Sequence, residues 1–287
     1  LRTRTRMGVF VPHDSSPQEL RDCLHEELAQ ALGPLNDLYR LPDSVFNDDN
    51  VHTVLTGFDM LILRATYAPE LRSGMTEGQV AAKLPALLAR LNPAGTRRPA
   101  TPISATPRPW IDAVQTALGP DAAPAARRSA AIAAARTAQA QGWQDHRRAF
   151  SHYMLGRITQ MTDPDAAQQH FRAALSYLSR TPTTRLHAAY VVTQTAAYAI
   201  ATGNGAQAVR EIDPMLNVAA RSENAALLST LMLLKAEALD QIGRPDEARS
   251  VRLDSLGWAR YGFGSDWAVR AKMREIAALN PQNRGRG

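Results

Sequence analysis

Met154–Leu178 reads MLGRITQMTDPDAAQQHFRAALSYL, and this stretch decides the fold. Leu155-Gly156 lies in one helical run, Thr162-Asp-Pro interrupts it, and Asp165-Ala-Ala167 opens a second run that carries Phe171 and Ala174. Small residues are needed where two helices cross closely, since bulk there pushes their axes apart. The same arrangement returns further along the chain. Ala206-Gln-Ala208 and Asp246-Glu-Ala248 repeat the opening, so that Ala167, Ala208 and Ala248 recur at intervals of 41 and 40 residues. Each is preceded about twelve positions earlier by another small residue, Gly156, Ala196 or Ala236. Four positions later Phe171 and Ile212 fill a groove in the first two units, whereas Arg252 stands there in the third. Gly203-Asn-Gly and Gly243-Arg-Pro supply the matching turns.

This pattern resembles the tetratricopeptide repeat, which places Leu-Gly in its first helix and Ala, Phe and Ala in its second. Leu155-Gly156, Ala167, Phe171 and Ala174 carry the likeness, with the intervening turn one residue short. Arg252 departs from it. The period near 40 exceeds the family's ~34, so longer helices or irregular turns are expected. A tetratricopeptide-like array over 125–287 is the reading, with an unrelated all-α bundle as the alternative. The resemblance implies a surface that binds or braces other proteins.

Composition is compatible with this. A chain of 287 residues exceeds what one core usually serves, so two domains are expected. Aromatics make up 6% and alanine is abundant, which favours closely packed helices over a β-sandwich. No run long and apolar enough to span a membrane occurs. The net charge is +6, and the lysines are Lys83, Lys235 and Lys272 alone, the remaining basic residues being arginine. Those arginines are scattered, with no basic stripe interleaved with aromatics, so nucleic acid is not indicated. The single cysteine, Cys23, excludes an internal disulfide and reads as a small buried hydrophobe.

The N-terminal third is organised differently. Met7–Val11 is β-branched and aromatic and stops at Pro12, which predicts a strand. Ser15-Ser16-Pro17-Gln18-Glu19 is a helix start, and Leu20, Cys23, Leu24, Leu28 and Ala31 form its expected buried face, with Gly33-Pro34 as the stop. A second helix is predicted from about Thr53, with Leu55, Phe58, Leu61, Ile62 and Ala65 as its stripe, and a third from Thr76 to Leu91. Asn92-Pro-Ala-Gly and prolines 99, 102, 107 and 109 predict an extended run that holds no helix, within a Pro-rich linker placed at 96–124, and beyond Trp110 the chain reads as helical almost without interruption.

Glu26-Glu-Leu-Ala-Gln30-Ala-Leu-Gly33-Pro-Leu-Asn36-Asp37 is the stretch with a chemical shape. It resembles the metzincin zinc motif H-E-x-x-H-x-x-G-x-x-H, in which residues i and i+4 share a helix face and the glycine turns the chain toward a third ligand. Here Glu27 and Gly33 fall in register, while Glu26, Gln30 and Asn36 replace the three histidines. Neutral amides are poor zinc ligands beside imidazole. His25 and Gln30 stand about 140° apart on a helix and do not converge. His13 and His52 are the other imidazoles within reach in sequence, and each reads as an ordinary polar residue. Ser44-Val45-Phe46-Asn47 lies where metzincins place a methionine turn, with Phe46 for Met.

Residues 1–95 also resemble an uncharacterised bacterial family, known only as a domain of unknown function, through the E-E-L-x-Q-A-L-G, N-D and S-V-F-N-D runs. That resemblance implies a small α+β metzincin-like domain without zinc ligands, on a periplasmic or exported protein. Membrane association would come through a removed or unseen N-terminus, since the sequence starts at Leu1 rather than Met.

Two uses of the remaining polar cluster stay open: a hydrogen-bonded plug, or an oxygen-rich calcium site if Asp43, or Asp48 and Asp49, approach. Elsewhere, Gly262-Phe-Gly264 lacks a preceding strand and reads as a turn between helices, and Asp145-His146 and His152 have no nucleophile beside them. Trp258, Tyr261, Phe263 and Trp267 cluster near the end of the array. They cap or fill its core, or, where exposed, form a binding hot spot.

The expected protein is therefore mainly α: a metzincin-like domain (1–95), a Pro-rich linker (96–124) and a helical repeat domain (125–287). It acts as a non-enzymatic scaffold within a larger complex, with no cofactor, no metal and protein partners bound by the array. The competing expectation is a metal-dependent hydrolase with Glu27 as general base.

Overall fold

The computed structural model describes residues 5–34, 38–47, 51–97 and 103–283. The chain divides into two compact units, one of residues 1–13 and 20–105, the other of residues 14–19 and 106–287. Among the described residues every regular element is helical. The strand expected at Met7–Val11 is absent, and with it the α+β, metzincin-like character of the first domain. A strand is held by a neighbour that takes its backbone hydrogen bonds, and no other described segment is extended into a strand beside this one. Phe10 is 91% exposed.

Among the described residues of the first 95, three α-helices form, and local sequence starts each of them. α1 (Pro17–Leu32) opens with a capping box, the Glu19 N–H donating to Ser16 Oγ at 3.2 Å and the Ser16 N–H to the Glu19 carboxylate at 2.8 Å. α2 (Gly57–Thr66) and α3 (Glu77–Leu91) have the same device in Thr56/Asp59 and Thr76/Gln79. The α2 box explains why that helix begins at Gly57 rather than near Thr53: it satisfies the first orphan amides there.

The buried face of α1 also differs from the expected stripe. Leu20 and Leu28 are exposed, whereas Gln18 and Ala29 are buried beside the expected Ala31. Ala29 packs with Val45 and Phe46, joined by Leu41, Leu55, Ile62 and Leu63. Small alanines suit this close approach, while the larger leucines one turn away are left outside it. A second cluster, Ala65, Ala68 and Leu87 with Leu71, Leu84 and Leu91, holds α2 to α3.

In the second unit helices pack on their sequence neighbours: α4 (Arg108–Leu118), α5 (Pro124–Ala140), α6 (His146–Thr159), α7 (Pro164–Leu178), α8 (Arg185–Ala201), α9 (Gly205–Arg221), α10 (Ala225–Gln241) and α11 (Pro245–Phe263). The last, α12 (Asp266–Ala277), lies against α10 and α11. α4 starts inside the proline run, two residues before the Trp110 from which helix was expected. Pro107 is its N-cap and Pro109 sits in its first turn, where a missing N–H leaves nothing unsatisfied. Trp110 locks α4 down: it is fully buried, stands edge-on to Trp143 at 5.6 Å, and donates from Nε1 to Ser151 Oγ at 3.0 Å.

The period near 40 has a simple origin. α8, α9 and α10 are 17 residues each, joined by three-residue turns. Ala167, Ala196, Ala208, Ala236 and Ala248 are all fully buried, as are Phe171 and Ile212. At Gly156 a Cβ would stand 2.5 Å from the Phe171 ring, so the phenyl group fills the space the glycine leaves.

Candidate functional site

Of the residues read as vestiges of a zinc site, the described ones, Glu26, Glu27 and Gln30, lie on α1; Glu27 is exposed, while Glu26 and Gln30 are half-buried and engaged by neighbours. Asn36 lies outside the described residues, as do Asp37, Asp48 and Asp49. Among the described residues no three His, Cys, Asp or Glu side chains are grouped to hold a metal. The nearby imidazoles are committed elsewhere. His25 Nδ1 is 3.1 Å from the Thr53 carbonyl, and His52 Nε2 is 3.2 Å from the Pro42 carbonyl and 3.5 Å from the Asp43 carboxylate. His13 is exposed.

Gly33 has another role than the sharp turn expected of it. It lacks positive φ, and a Cβ there would meet Leu63 at 2.8 Å. The glycine therefore admits a leucine of α2 against the end of α1. Cys23 is half-buried rather than buried. Burial first, then the Glu27, Glu26 and Asp22 charges, raise its thiol above the usual range, which disfavours the thiolate.

What the structure builds instead is a knot around Asp59, a residue the sequence reading passed over. Its fully buried carboxylate accepts from Ser44 Oγ at 2.5 Å, from the Val45 N–H at 3.1 Å and from the Thr56 N–H at 2.8 Å. Thr56 Oγ1 in turn donates to the Asp43 carbonyl at 2.9 Å. Ser44, Val45, Phe46 and Asn47 are all buried, and the Leu38 N–H donates to the Phe46 carbonyl at 2.8 Å. Burial lifts the Asp43 carboxyl above its usual value; His52 pulls it back and Asp59 adds to the rise. The S-V-F-N run is therefore the anchor of a turn to the start of α2. The signal was present in the sequence as Thr56-x-x-Asp59, a capping-box spacing.

The second unit holds a different set of polar and aromatic groups. Asp145 caps α6 and pairs with the buried Arg147 at 2.6 Å, whose guanidinium lies 3.9 Å over the Trp143 ring. His152 and His170 face each other with Nδ1 atoms 3.3 Å apart, and His152 stacks on Tyr177. Burial, then His170 and Arg148, lower the His152 pKa to about 4, and burial lowers that of His170.

At the position where the repeat pattern calls for an aromatic, Arg252 donates to Glu237 at 3.0 Å and to Asp240 at 2.8 Å. Glu237 is buried and also accepts from Asn280 and Asn283. The departure from pattern is thus a polar closure of the last pair. Residues 14–19 belong to this unit as well. Gln18 donates to Asn224 at 3.1 Å and accepts from the Ala226 N–H at 2.8 Å, completing the cap of α10.

The terminal aromatics separate into two kinds. Phe263 is half-buried. Trp258 is 49% exposed, Tyr261 38% and Trp267 70%, so core filling is not their role. Leu253, Tyr261 and Trp258 fall within about 140° of one another around α11, and Leu253 is exposed too. Gly262-Phe-Gly264 is a helix end, as expected: α11 stops at Phe263 and Gly264 adopts φ +82°.

Comparison with known proteins places one part of the chain. Residues 2–86 match the family model described as Protein of unknown function (DUF2927). Neither curated proteins nor solved structures give a match. No helix among the described residues is long and apolar enough to cross a membrane. The first third of the chain is therefore similar to an uncharacterised domain.

Proposed function

We propose that the protein is a non-enzymatic scaffold or adaptor that binds a protein partner through its helical array, within a larger complex in the periplasm or outside the cell. The observation that carries this reading is the exposed set Leu253, Trp258, Tyr261 and Trp267 on α11 and α12. Tryptophan and tyrosine supply much of the energy of protein interfaces, and a monomer gains nothing by leaving them in water. The buried Ala, Gly and Phe positions support a tetratricopeptide-like array as its frame. The N-terminal domain supplies a second contact surface.

The test is proximity labelling in the source bacterium, comparing the natural protein with Trp258→Ser/Trp267→Ser. Partners retained by the first and lost by the second are expected. An unchanged partner set would overturn the reading. Elemental analysis of protein purified without chelator separates the hydrolase alternative: zinc near one per chain, with turnover abolished in Glu27→Gln, would replace the scaffold by a metal enzyme.

A further inference from the structure

The first unit contains a half-open cleft of about 820 Å³. Its walls are Thr5–Met7, the last residues of α1, and the chain that leaves α2 through Tyr67 to Ser73. The size is that of a site for a molecule of several hundred daltons. Met7, Leu32 and Leu71 make the apolar part of the lining; Thr66 and Ser73 add hydroxyls. Among the described residues that line it, Arg6 and Arg72 are the charged ones and none is a carboxylate. Both arginines are exposed, and neither is in an ion pair among the described residues.

Helix ends would ordinarily oppose an anion here, because α1 and α2 both present their negative C-terminal poles. That opposition is blunted. Tyr67 Oη donates to the Leu32 carbonyl at 2.6 Å, the Gly33 N–H to Ala29, and the Tyr67 N–H to Leu63. What remains is positive charge beside an apolar, hydroxyl-bearing wall.

We propose that this cleft captures the C-terminal carboxylate of a peptide segment, with Arg6 and Arg72 on the carboxylate and an apolar last side chain against Leu32 and Leu71. Arginine presents a planar fork that matches a carboxylate in two parallel hydrogen bonds. An acyl chain would call for an enclosed apolar tunnel; a half-open groove with hydroxyls suits a backbone that keeps its own polar groups wet. The cleft deepens the scaffold reading by giving the N-terminal contact surface a chemistry. It is tested on different residues from the array, so either can fail alone.

The experiment is fluorescence anisotropy on the full chain with N-terminally fluorescein-labelled hexapeptides that end in randomised apolar residues. Saturable binding is expected for free-acid peptides, at least about tenfold weaker for the same peptides as C-terminal amides. Arg6→Gln and Arg72→Gln should each weaken binding about tenfold, with Arg72→Lys recovering part of the loss because the charge returns without the fork. Circular dichroism of the variants checks that folding is unaffected, as both side chains are exposed. Equal binding of acid and amide, indifference to the Arg6→Gln/Arg72→Gln double change, or no binding by the peptides would each overturn the proposal. Saturable binding of oleate with none of the peptides would assign the cleft to a lipid instead.

Discussion

Asp59 shows how one side chain sets the shape of a domain. Its buried carboxylate accepts three hydrogen bonds from the turn at Ser44–Val45 and from the start of α2. Removing it leaves buried N–H groups without partners, and each such loss is worth on the order of 1–3 kcal/mol. Asp59→Ala is therefore expected to lower the stability of the first unit by about 3 kcal/mol. Urea denaturation followed by tyrosine fluorescence and circular dichroism would read it; a loss below about 1 kcal/mol would refute the anchoring role. In the sequence Asp59 was visible only as a capping residue. Its bonds to Ser44 and Val45 span 15 and 14 positions and have no periodic signature. Glu27, whose register with a catalytic glutamate was legible, is an exposed residue on α1.

At the level of elements, the repeat pattern predicted burial well and its own exception poorly. Ala167, Ala208 and Ala248 are buried because each marks a helix crossing, and a crossing imposes its spacing on the sequence. Arg252 looks like an error in that pattern. It is instead the partner of the buried Glu237 and of Asp240, in a network that takes in Asn280 and Asn283 from beyond α12. Restoring the aromatic with Arg252→Phe should thus destabilise the array, by about 2 kcal/mol, since it strands a buried carboxylate while Arg252 itself is partly solvated. A thermal melt showing equal or higher stability would mean the network is dispensable. The linker prolines make the same point: a proline forbids a helix interior but favours a helix start, and composition alone does not say which end is meant.

Across the whole array, three histidines tie stability to pH. His146 and His152 have pKa values lowered from 6.5 to about 4, and that of His170 is also lowered. Burial leads in each case. His146 faces Asp145, which raises its pKa, and Arg147, which lowers it, with the His187 ring 6.4 Å away. His152 faces His170, Arg148 and the Tyr177 ring. These groups are neutral in the folded array, whereas in the unfolded chain they take up protons as pH falls through 6.5. Their contribution is complete above about pH 6.5 and is lost progressively down to about pH 4. The melting temperature of the full chain should fall over that window, and His152→Phe/His170→Leu should flatten the fall. A profile unchanged by the double substitution would show that other groups govern it.

The sequence by itself determined that the chain is mainly helical, where the turns inside three helix pairs fall, and which small residues lie at helix crossings. These follow from contacts a few residues apart or from a pattern repeated along the chain, and both leave a periodic trace. The tertiary structure alone decided the rest. It left Met7–Val11 without a strand partner, exposed Leu20 and Leu28 of α1 while burying Ala29, and made Gly33 a seat for Leu63 rather than a hinge. It also knotted Ser44–Val45 to Asp59 and brought Arg6 to the same cleft as Arg72. Each of these depends on which distant segment arrives next to a residue, and no local spacing in the sequence records that.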